Sequence, residues 1–157
     1  MTDNSTSIDN VPNNTEGIYN ELGIEENDPS KILKNLRIKN INRLVIGHLN
    51  INSIANKFES LKEINQGYID ILVISETKLN ESYSINMFDI DGYSTPYRYD
   101  RNTNTGGGIL IYVKEDIACR ELKTKSDDKS LEGIFLEINL EKSKWLFLED
   151  TIISNLI

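Results

Sequence analysis

Apolar and polar positions along this chain form stretches with different periodicities. Residues 1–30 have few apolar positions and no regular period, so we expect no packed core there. Residues 44–51 form a mostly apolar run, which predicts a strand. Residues 71–74 are continuously apolar, which is typical of a strand covered on both faces.

Between these two runs, the apolar spacing predicts a helix with a single apolar stripe. The stripe consists of Ile54, Phe58, Leu61 and Ile64. Asn52 or Ser53 can cap the start of this helix, and Gly67 can end it. The order strand, helix, strand predicts a βαβ unit with two parallel strands and a right-handed crossover.

After residue 76 the pattern changes to short strands and turns. A loop over residues 102–107 is expected to lead into a strand over 108–113. Residues 131–140 alternate, which predicts a half-buried antiparallel strand with residues 144–148 as its hairpin partner. The apolar face of the alternating strand consists of Ile134, Leu136, Ile138 and Leu140.

The net charge of −8 comes mainly from the N-terminal segment. Residues 1–30 contain seven of the 25 acidic residues and no basic residue. A basic block follows at residues 31–43, and we interpret it as a linker or a solvated face, with contact to a phosphate backbone as the alternative. The block contains Lys31, Lys34, Arg37, Lys39 and Arg43.

These patterns predict a disordered acidic tail and basic linker over residues 1–42 and a folded part from residue 43 onward. The single cysteine, Cys119, cannot form an internal disulfide, so we expect a reducing intracellular compartment, the cytoplasm or the nucleus. No apolar run is long enough to cross a bilayer and no signal-peptide pattern is present, so we expect no membrane partner.

A polar residue follows each of the two predicted parallel strands. Asn50 closes the first and Glu76 the second, so both are expected at the same edge of the sheet. A carboxylate and an amide oxygen there can bind Mg²⁺, which keeps several water ligands and needs few protein oxygens. The alternative is that Asn50 caps the helix and that Glu76 is only a charge at a strand end.

Other residues are weaker candidates for a functional role. His48 shares a strand face with Asn50, so a general-base role competes with a structural one. The neighbourhood of Arg98, Tyr99 and Arg101 could stack on or pair with a nucleic-acid strand, or could simply pack. Gly106–Gly108 lack the Lys-Ser/Thr of a phosphate-binding loop, so we expect a tight hairpin loop there.

Several short motifs occur in an order that resembles a known superfamily. They are Leu49–Ser53, Lys57–Leu61, Asp70–Leu79, Gly92–Tyr93, Arg98–Arg101, Gly106–Val113, Leu131–Glu132 and Lys144–Leu146. Over residues 43–148 the chain resembles the N-terminal half of the endonuclease/exonuclease/phosphatase superfamily. It is similar in particular to the apurinic-type endonuclease domain of non-LTR (LINE-like, jockey-like) retrotransposons.

The resemblance implies an α/β fold, a four-layer sandwich that hydrolyses DNA phosphodiester bonds with Mg²⁺ or Mn²⁺. It implies that Glu76 binds the metal ion and that Asn50 belongs to the same catalytic cluster. Arg98, Tyr99 and Arg101 are then candidate substrate contacts. The implied partners are DNA and the reverse transcriptase region of the same element.

The same resemblance predicts an incomplete site. After Phe147 the family continues with a Tyr-x-x-Pro-like segment and then with Gly-Asp-x-Asn and Ser-Asp-His motifs, none of which matches residues 148–157. The resemblance thus implies the N-terminal part of the domain over residues 43–148 and a divergent C-terminal end over residues 149–157. We therefore expect a sandwich truncated to about its first half, with roughly one sheet and an inner apolar face that lacks a partner. We expect no hydrolysis by this chain alone. The alternatives are a non-catalytic nucleic-acid-binding or decayed fragment and a phosphatase of the same superfamily.

Overall fold

The structure, a computed structural model, describes residues 28–100, 106–122, 133–140, 143–148 and 151–154. It has the α/β architecture that the sequence predicted, with helices on one face of a sheet and a second sheet on the other. A 3₁₀ turn covers Ile85–Phe88. The other elements in chain order are α1 (Pro29–Lys39), β1 (Ile46–Asn50), α2 (Phe58–Asn65), β2 (Ile71–Ser75), β3 (Tyr97–Tyr99), β4 (Ile109–Val113), β5 (Ala118–Glu121), β6 (Leu136–Leu140), β7 (Ser143–Leu148) and β8 (Thr151–Ser154).

Helix α1 occupies the region where a linker was expected. The Asp28 side chain caps it by accepting hydrogen bonds from the backbone N–H groups of Ser30 at 3.0 Å and Lys31 at 3.4 Å. Pro29 lies in the first turn, where its missing N–H costs nothing. Leu33 packs against a core cluster of buried residues that includes Phe58 and Leu61. Residues 29–39 therefore form a capped helix that packs on the core, whereas the sequence pattern predicts a linker.

The rest of the acidic tail, residues 1–27, lies outside the described residues, and its expected disorder stays a prediction. Within the described part of the chain, neither helix has the length and apolar character needed to cross a membrane.

The first sheet contains the predicted βαβ unit. Strands β1 and β2 are parallel, with Ile46 opposite Ile71 at one end and Asn50 opposite Ser75 at the other. Strand β4 pairs antiparallel with the other side of β2, and β3 forms the far edge. The order β1-β2-β4-β3 leaves β1 at one edge of this sheet.

Helix α2 begins later than the apolar spacing predicted. Its first residue is Phe58, its N-cap position is Lys57, and no side chain caps it. Ile54 is buried ahead of the helix, while Ile64 is 37% exposed and Asn65 is buried in its place. The predicted stripe is thus wrong at both ends: Ile54 lies outside the helix, and Ile64 lies outside its buried face.

The predicted caps at the start of α2 are also wrong. Asn52 and Ser53 have φ angles of 47° and 80°, whereas an N-cap residue is normally extended. Asn50 is further still from Phe58, so it does not cap the helix either. The end of α2 is close to the prediction, since Gln66 adopts a left-handed conformation and Gly67 follows it with φ 74°.

The second sheet is antiparallel throughout, in the order β5-β6-β7-β8. The predicted hairpin between the alternating strand and its partner is confirmed as β6 and β7. The segment 151–154, in the end that matched no family motif, pairs with β7 as β8.

The inner faces of the two sheets pack together. Their shared core consists of Ile71, Ile109, Ile111, Val113, Ile134, Leu136 and Ile138. Ile134 is 2% exposed, and Leu136 and Ile138 are fully buried. The chain was expected to form roughly one sheet, with an inner apolar face that lacks a partner. Both expectations are wrong, because a second sheet forms and the inner faces of the two sheets cover each other. The opposite face of the first sheet packs on α2 through Leu72, Ile74, Leu110 and Tyr112.

Candidate active site

The ends of β1 and β2 place the two main candidate residues at one edge of the first sheet. Asn50 lies opposite Ser75 in the parallel register, and Glu76 follows directly. Asn50 is exposed, and Glu76 is half-buried. The geometry thus brings together the strand ends that the sequence singled out, while the roles of the two side chains stay predictions.

The carboxylate of Glu76 is held by the backbone of the glycine segment, Gly106–Gly108. The Gly107 N–H donates a hydrogen bond of 2.8 Å to Oε2 of Glu76. The backbone of Glu76 is held as well, since its carbonyl oxygen accepts a 2.8 Å hydrogen bond from the Ser53 N–H. With its backbone and one carboxylate oxygen fixed, Glu76 presents its charge in a defined orientation.

Left-handed backbone conformations concentrate around this edge. Asn52, Ser53, Glu76 and Lys78 have φ angles of 47°, 80°, 56° and 54°. For a residue with a side chain, such a conformation costs about 1 kcal/mol and persists only where neighbouring contacts impose it. The hydrogen bond between the Lys78 N–H and the Gly107 carbonyl, 2.9 Å long, is one such contact. Strain of this kind is typical of functional sites.

Two lysines converge on the loop that follows β1. The Lys57 Nζ donates to the carbonyl oxygens of Ile51 at 2.5 Å and Asn52 at 3.0 Å. The Lys78 Nζ donates to the Asn52 side-chain oxygen. Neither lysine stands out as a site residue in the sequence, because only Lys78 lies near a candidate residue there. Their charges make this rim attractive to anions.

His48 lies on the face of β1 that also carries Asn50, as its spacing predicted. Its Nε2 is 3.0 Å from the hydroxyl oxygen of Ser75 on the neighbouring strand. The imidazole is exposed. This contact gives the single histidine of the chain a structural partner beside the candidate site.

Two of the three candidate substrate contacts, Arg98 and Tyr99, lie on β3. Each guanidinium nitrogen of Arg98 donates within the chain, to both carboxylate oxygens of Asp100 at 2.7 and 2.6 Å and to the carbonyls of Tyr83 and Asn80 at 2.6 Å each. These bonds commit Arg98 to joining β3 to the 80–83 loop. Tyr99 packs against the inter-sheet core. Arg101 lies outside the described residues.

The donor chemistry at the edge fits a hard divalent cation. Glu76 has a carboxylate and Asn50 a side-chain amide, and oxygen atoms of both kinds are ligands that such a cation accepts. Across the described ranges, no cluster of three or more His, Cys, Asp and Glu side chains forms a metal cage. Such a set suits Mg²⁺ or Mn²⁺ with most of its water shell retained, whereas Zn²⁺ sites use three or four nitrogen, sulfur or carboxylate ligands.

No protein-family model and no curated protein matches this chain. Among solved structures, a 3′ phosphatase from Neisseria, NExo, bound to its product DNA hairpin, is similar over 68% of this chain with 14% sequence identity and a TM-score of 0.47. The match covers 41% of that protein. A likeness of this size assigns neither a family nor an activity to the chain.

Proposed function

We propose that this chain forms part of a metal-dependent DNA phosphodiester-hydrolysing site of the retrotransposon-endonuclease type. The observation that carries the proposal is the parallel pairing of Asn50 with Ser75, which puts Asn50 and Glu76 at the carboxyl ends of adjacent strands. Carboxyl ends of strands are where α/β sheets place ligand-binding groups. The ordered motifs that resemble the endonuclease superfamily include both residues.

The proposed division of roles follows from the chemistry of the two side chains. Glu76 would bind Mg²⁺ or Mn²⁺ through its carboxylate, and Asn50 would orient a phosphate oxygen or add a neutral ligand. When bound, the ion would polarise the phosphate and stabilise charge on the leaving oxygen. The Gly107 N–H holds Glu76 ready for this role.

The lysines at the rim support a phosphate-bearing substrate. Lys57 and Lys78 both place their ammonium groups on the loop between Ile51 and Ser53, next to Asn50. Outside residues 1–30 the chain is close to neutral, so this local charge is not part of a general basic surface. Fixed positive charge beside the metal position raises the local concentration of a DNA backbone.

Hydrolysis also needs a group that activates water. In the superfamily that this chain resembles, a later Asp and a later His supply water activation and phosphate contact. The described site offers the single carboxylate of Glu76, so we expect the chain to bind a metal ion and DNA without turnover on its own. The reverse transcriptase region of the same element would be its partner in an intact protein.

Metal binding tests the proposal directly. We expect Mn²⁺ affinity of the full chain, followed by the electron paramagnetic resonance signal of free Mn²⁺, on the order of millimolar, because one carboxylate replaces little of the hydration shell. A short DNA duplex should strengthen it. Glu76→Gln should abolish binding, while Glu81→Gln, an exposed carboxylate on the next loop, should not. Unchanged Mn²⁺ binding by Glu76→Gln would overturn the proposal.

A second candidate function is DNA binding without catalysis through α1. Lys34 and Lys39 on α1 are exposed, as is Arg43 shortly after it. Arg37 does not belong to this surface, because it pairs with Asp70. Fluorescence anisotropy with labelled duplex separates the candidates. Loss of affinity in Lys34→Ala/Lys39→Ala but not in Lys57→Ala/Lys78→Ala would favour the second function.

The phosphatase alternative makes a different prediction. It requires Glu76-dependent release of inorganic phosphate from a small phosphate ester, with no dependence on Lys34 or Lys39. Phosphate release from such an ester by the full chain, absent in Glu76→Gln, would favour it over both DNA-directed functions.

A further inference from the structure

Three consecutive glycines lie against Glu76 and the residues that follow it. Gly106, Gly107 and Gly108 have φ angles of 115°, 97° and 87°, where residues with side chains are strained. Their sequence predicts a tight hairpin loop. A turn alone would require the backbone conformation but not contact with the candidate site.

Backbone hydrogen bonds connect the glycine segment to the residues after β2. Besides the bond from the Gly107 N–H to Glu76 Oε2, the Gly107 carbonyl accepts from the Lys78 N–H at 2.9 Å. The Gly108 carbonyl accepts from the Thr77 N–H at 3.2 Å. The segment therefore follows residues 76–78 closely, beyond the end of the β2–β4 ladder.

The space beside these glycines is filled by the site itself. A Cβ atom at Gly106 would lie 2.8 Å from Glu76 Oε2 and 3.5 Å from Lys78 Cε. A Cβ atom at Gly108 would overlap the hydroxyl oxygen of Thr77, whose side chain is buried. Side chains at these positions would displace the carboxylate or the threonine.

Other glycines in the chain show that this contact is specific. Gly67 and Gly92 also have positive φ angles, 74° and 82°, but a Cβ atom at either would meet no heavy atom within 4 Å. They serve turns in open space. Gly106 and Gly108 meet the same backbone requirement and, in addition, leave room for Glu76 and Thr77.

We propose that Gly106–Gly108 is a positioning segment that fixes the orientation of the Glu76 carboxylate. Gly107 holds one carboxylate oxygen through its N–H, and the missing side chain at Gly106 leaves room for that oxygen. The functional meaning of this positioning rests on the proposed metal-binding role of Glu76. The positioning itself does not, and it is measurable without metal.

The consequence for metal binding is quantitative. Groups that hydrogen-bond to a metal ligand orient it before binding, and their loss typically costs about 10- to 100-fold in metal affinity. A displaced carboxylate at Glu76 would have to reorient for each binding event, so Mn²⁺ affinity should depend on Gly106 although Gly106 contributes no ligand.

The experiment compares three variants of the full ¹⁵N-labelled chain. Gly106→Ala places a methyl group against the movable end of Glu76. Gly92→Ala carries a similar left-handed backbone penalty in open space and is the matched control. Glu76→Gln keeps the side-chain shape and removes the charge. The first readout is the amide proton shift of Gly107 without metal, since a hydrogen bond to a carboxylate moves it downfield. The second is the Mn²⁺ dissociation constant.

We expect Gly106→Ala and Glu76→Gln to move the Gly107 amide proton upfield, and Gly92→Ala to leave it in place. We also expect Gly106→Ala to raise the Mn²⁺ dissociation constant about tenfold or more. An unmoved Gly107 proton in Glu76→Gln would overturn the inference even if Gly106→Ala failed to fold. An upfield shift in Gly106→Ala with undiminished Mn²⁺ binding by Glu76→Gln would support positioning and reject the metal role.

Discussion

Arg37 of α1 pairs with Asp70, the residue just before β2. The Asp70 carboxylate also accepts a 2.7 Å hydrogen bond from the Val45 N–H and forms a 3.0 Å ion pair with Lys114. The Arg37 Nε in turn donates to the Tyr68 carbonyl at 3.0 Å. One carboxylate thus joins α1, the start of β1, the start of β2 and the turn after β4.

Removing the negative charge of Asp70 should destabilise the fold. In Asp70→Asn, Arg37 and Lys114 lose their shared partner in a largely buried position, which should lower the free energy of unfolding by about 3 kcal/mol. Urea denaturation followed by circular dichroism measures it. The exposed Asp91→Asn should stay within about 0.5 kcal/mol of the unmodified chain. Equal losses in the two variants would contradict the role of Asp70.

The same carboxylate makes stability depend on pH in the acid range. Burial by itself raises the pKa of Asp70, but hydrogen bonds from Val45, Arg37 and Lys114 outweigh it and hold the pKa below its usual value. The stabilisation is therefore fully present above the unfolded-state pKa of about 3.9 and is lost as the pH falls through the lower folded-state value. Below about pH 4, Asp70→Asn should lose less stability per pH unit than the unmodified chain. Identical acid slopes would refute this.

Supercoiled plasmid tests hydrolysis by the chain alone. We expect nicking with Mg²⁺ or Mn²⁺ to be no greater than that of Glu76→Ala, because the described site provides one carboxylate and no clustered partner. Agarose gel electrophoresis measures the nicked fraction. Metal-dependent nicking that disappears in Glu76→Ala would show that the groups present are sufficient.

Arg98 should behave as a structural residue. Arg98→Lys removes the planar group that bonds Asp100 and two carbonyls, and it should lower stability by about 1.5–3 kcal/mol. The control is Arg120→Lys, because Arg120 pairs with Glu137 but its side chain is 65% exposed, so about 0.5 kcal/mol or less is expected. A loss of DNA affinity in Arg98→Lys without a loss of stability would instead favour substrate contact.

The packed sheets predict a sensitive position in β6. Ile138 is fully buried in the inter-sheet core, so Ile138→Ala should cost about 2–5 kcal/mol. Ile41 is 75% exposed, and Ile41→Ala should have little effect. Thermal unfolding of the two variants measures the difference. A small effect at Ile138 would mean that the two sheets do not share a core.

Strand formation followed closely from the local pattern. The runs around β1 and β2, the alternation of β6 and the hairpin to β7 were all predictable, because a strand's alternation and apolar content are carried by neighbouring residues. The same local rule placed Asn50 and Glu76 at one edge, since parallel strands end together.

Helix boundaries were decided by contacts distant in sequence. Ile54 fits the helical spacing, but the Ser53 N–H bonds to the Glu76 carbonyl and holds the preceding loop out of the helix. The attachment of α1 depends on Arg37 reaching Asp70, 33 residues away. Periodicity contains no information on such pairs.

The contacts within the candidate site also depend on residues that are distant in the sequence. Gly107 is 31 residues from Glu76 in the sequence, and its hydrogen bond arises only because β4 returns beside β2. Lys57 reaches the site through the turn before α2. The types of residue at the strand ends were therefore predictable from the sequence. The orientation, charge environment and partners of these residues depend instead on which distant segments the sheet brings together.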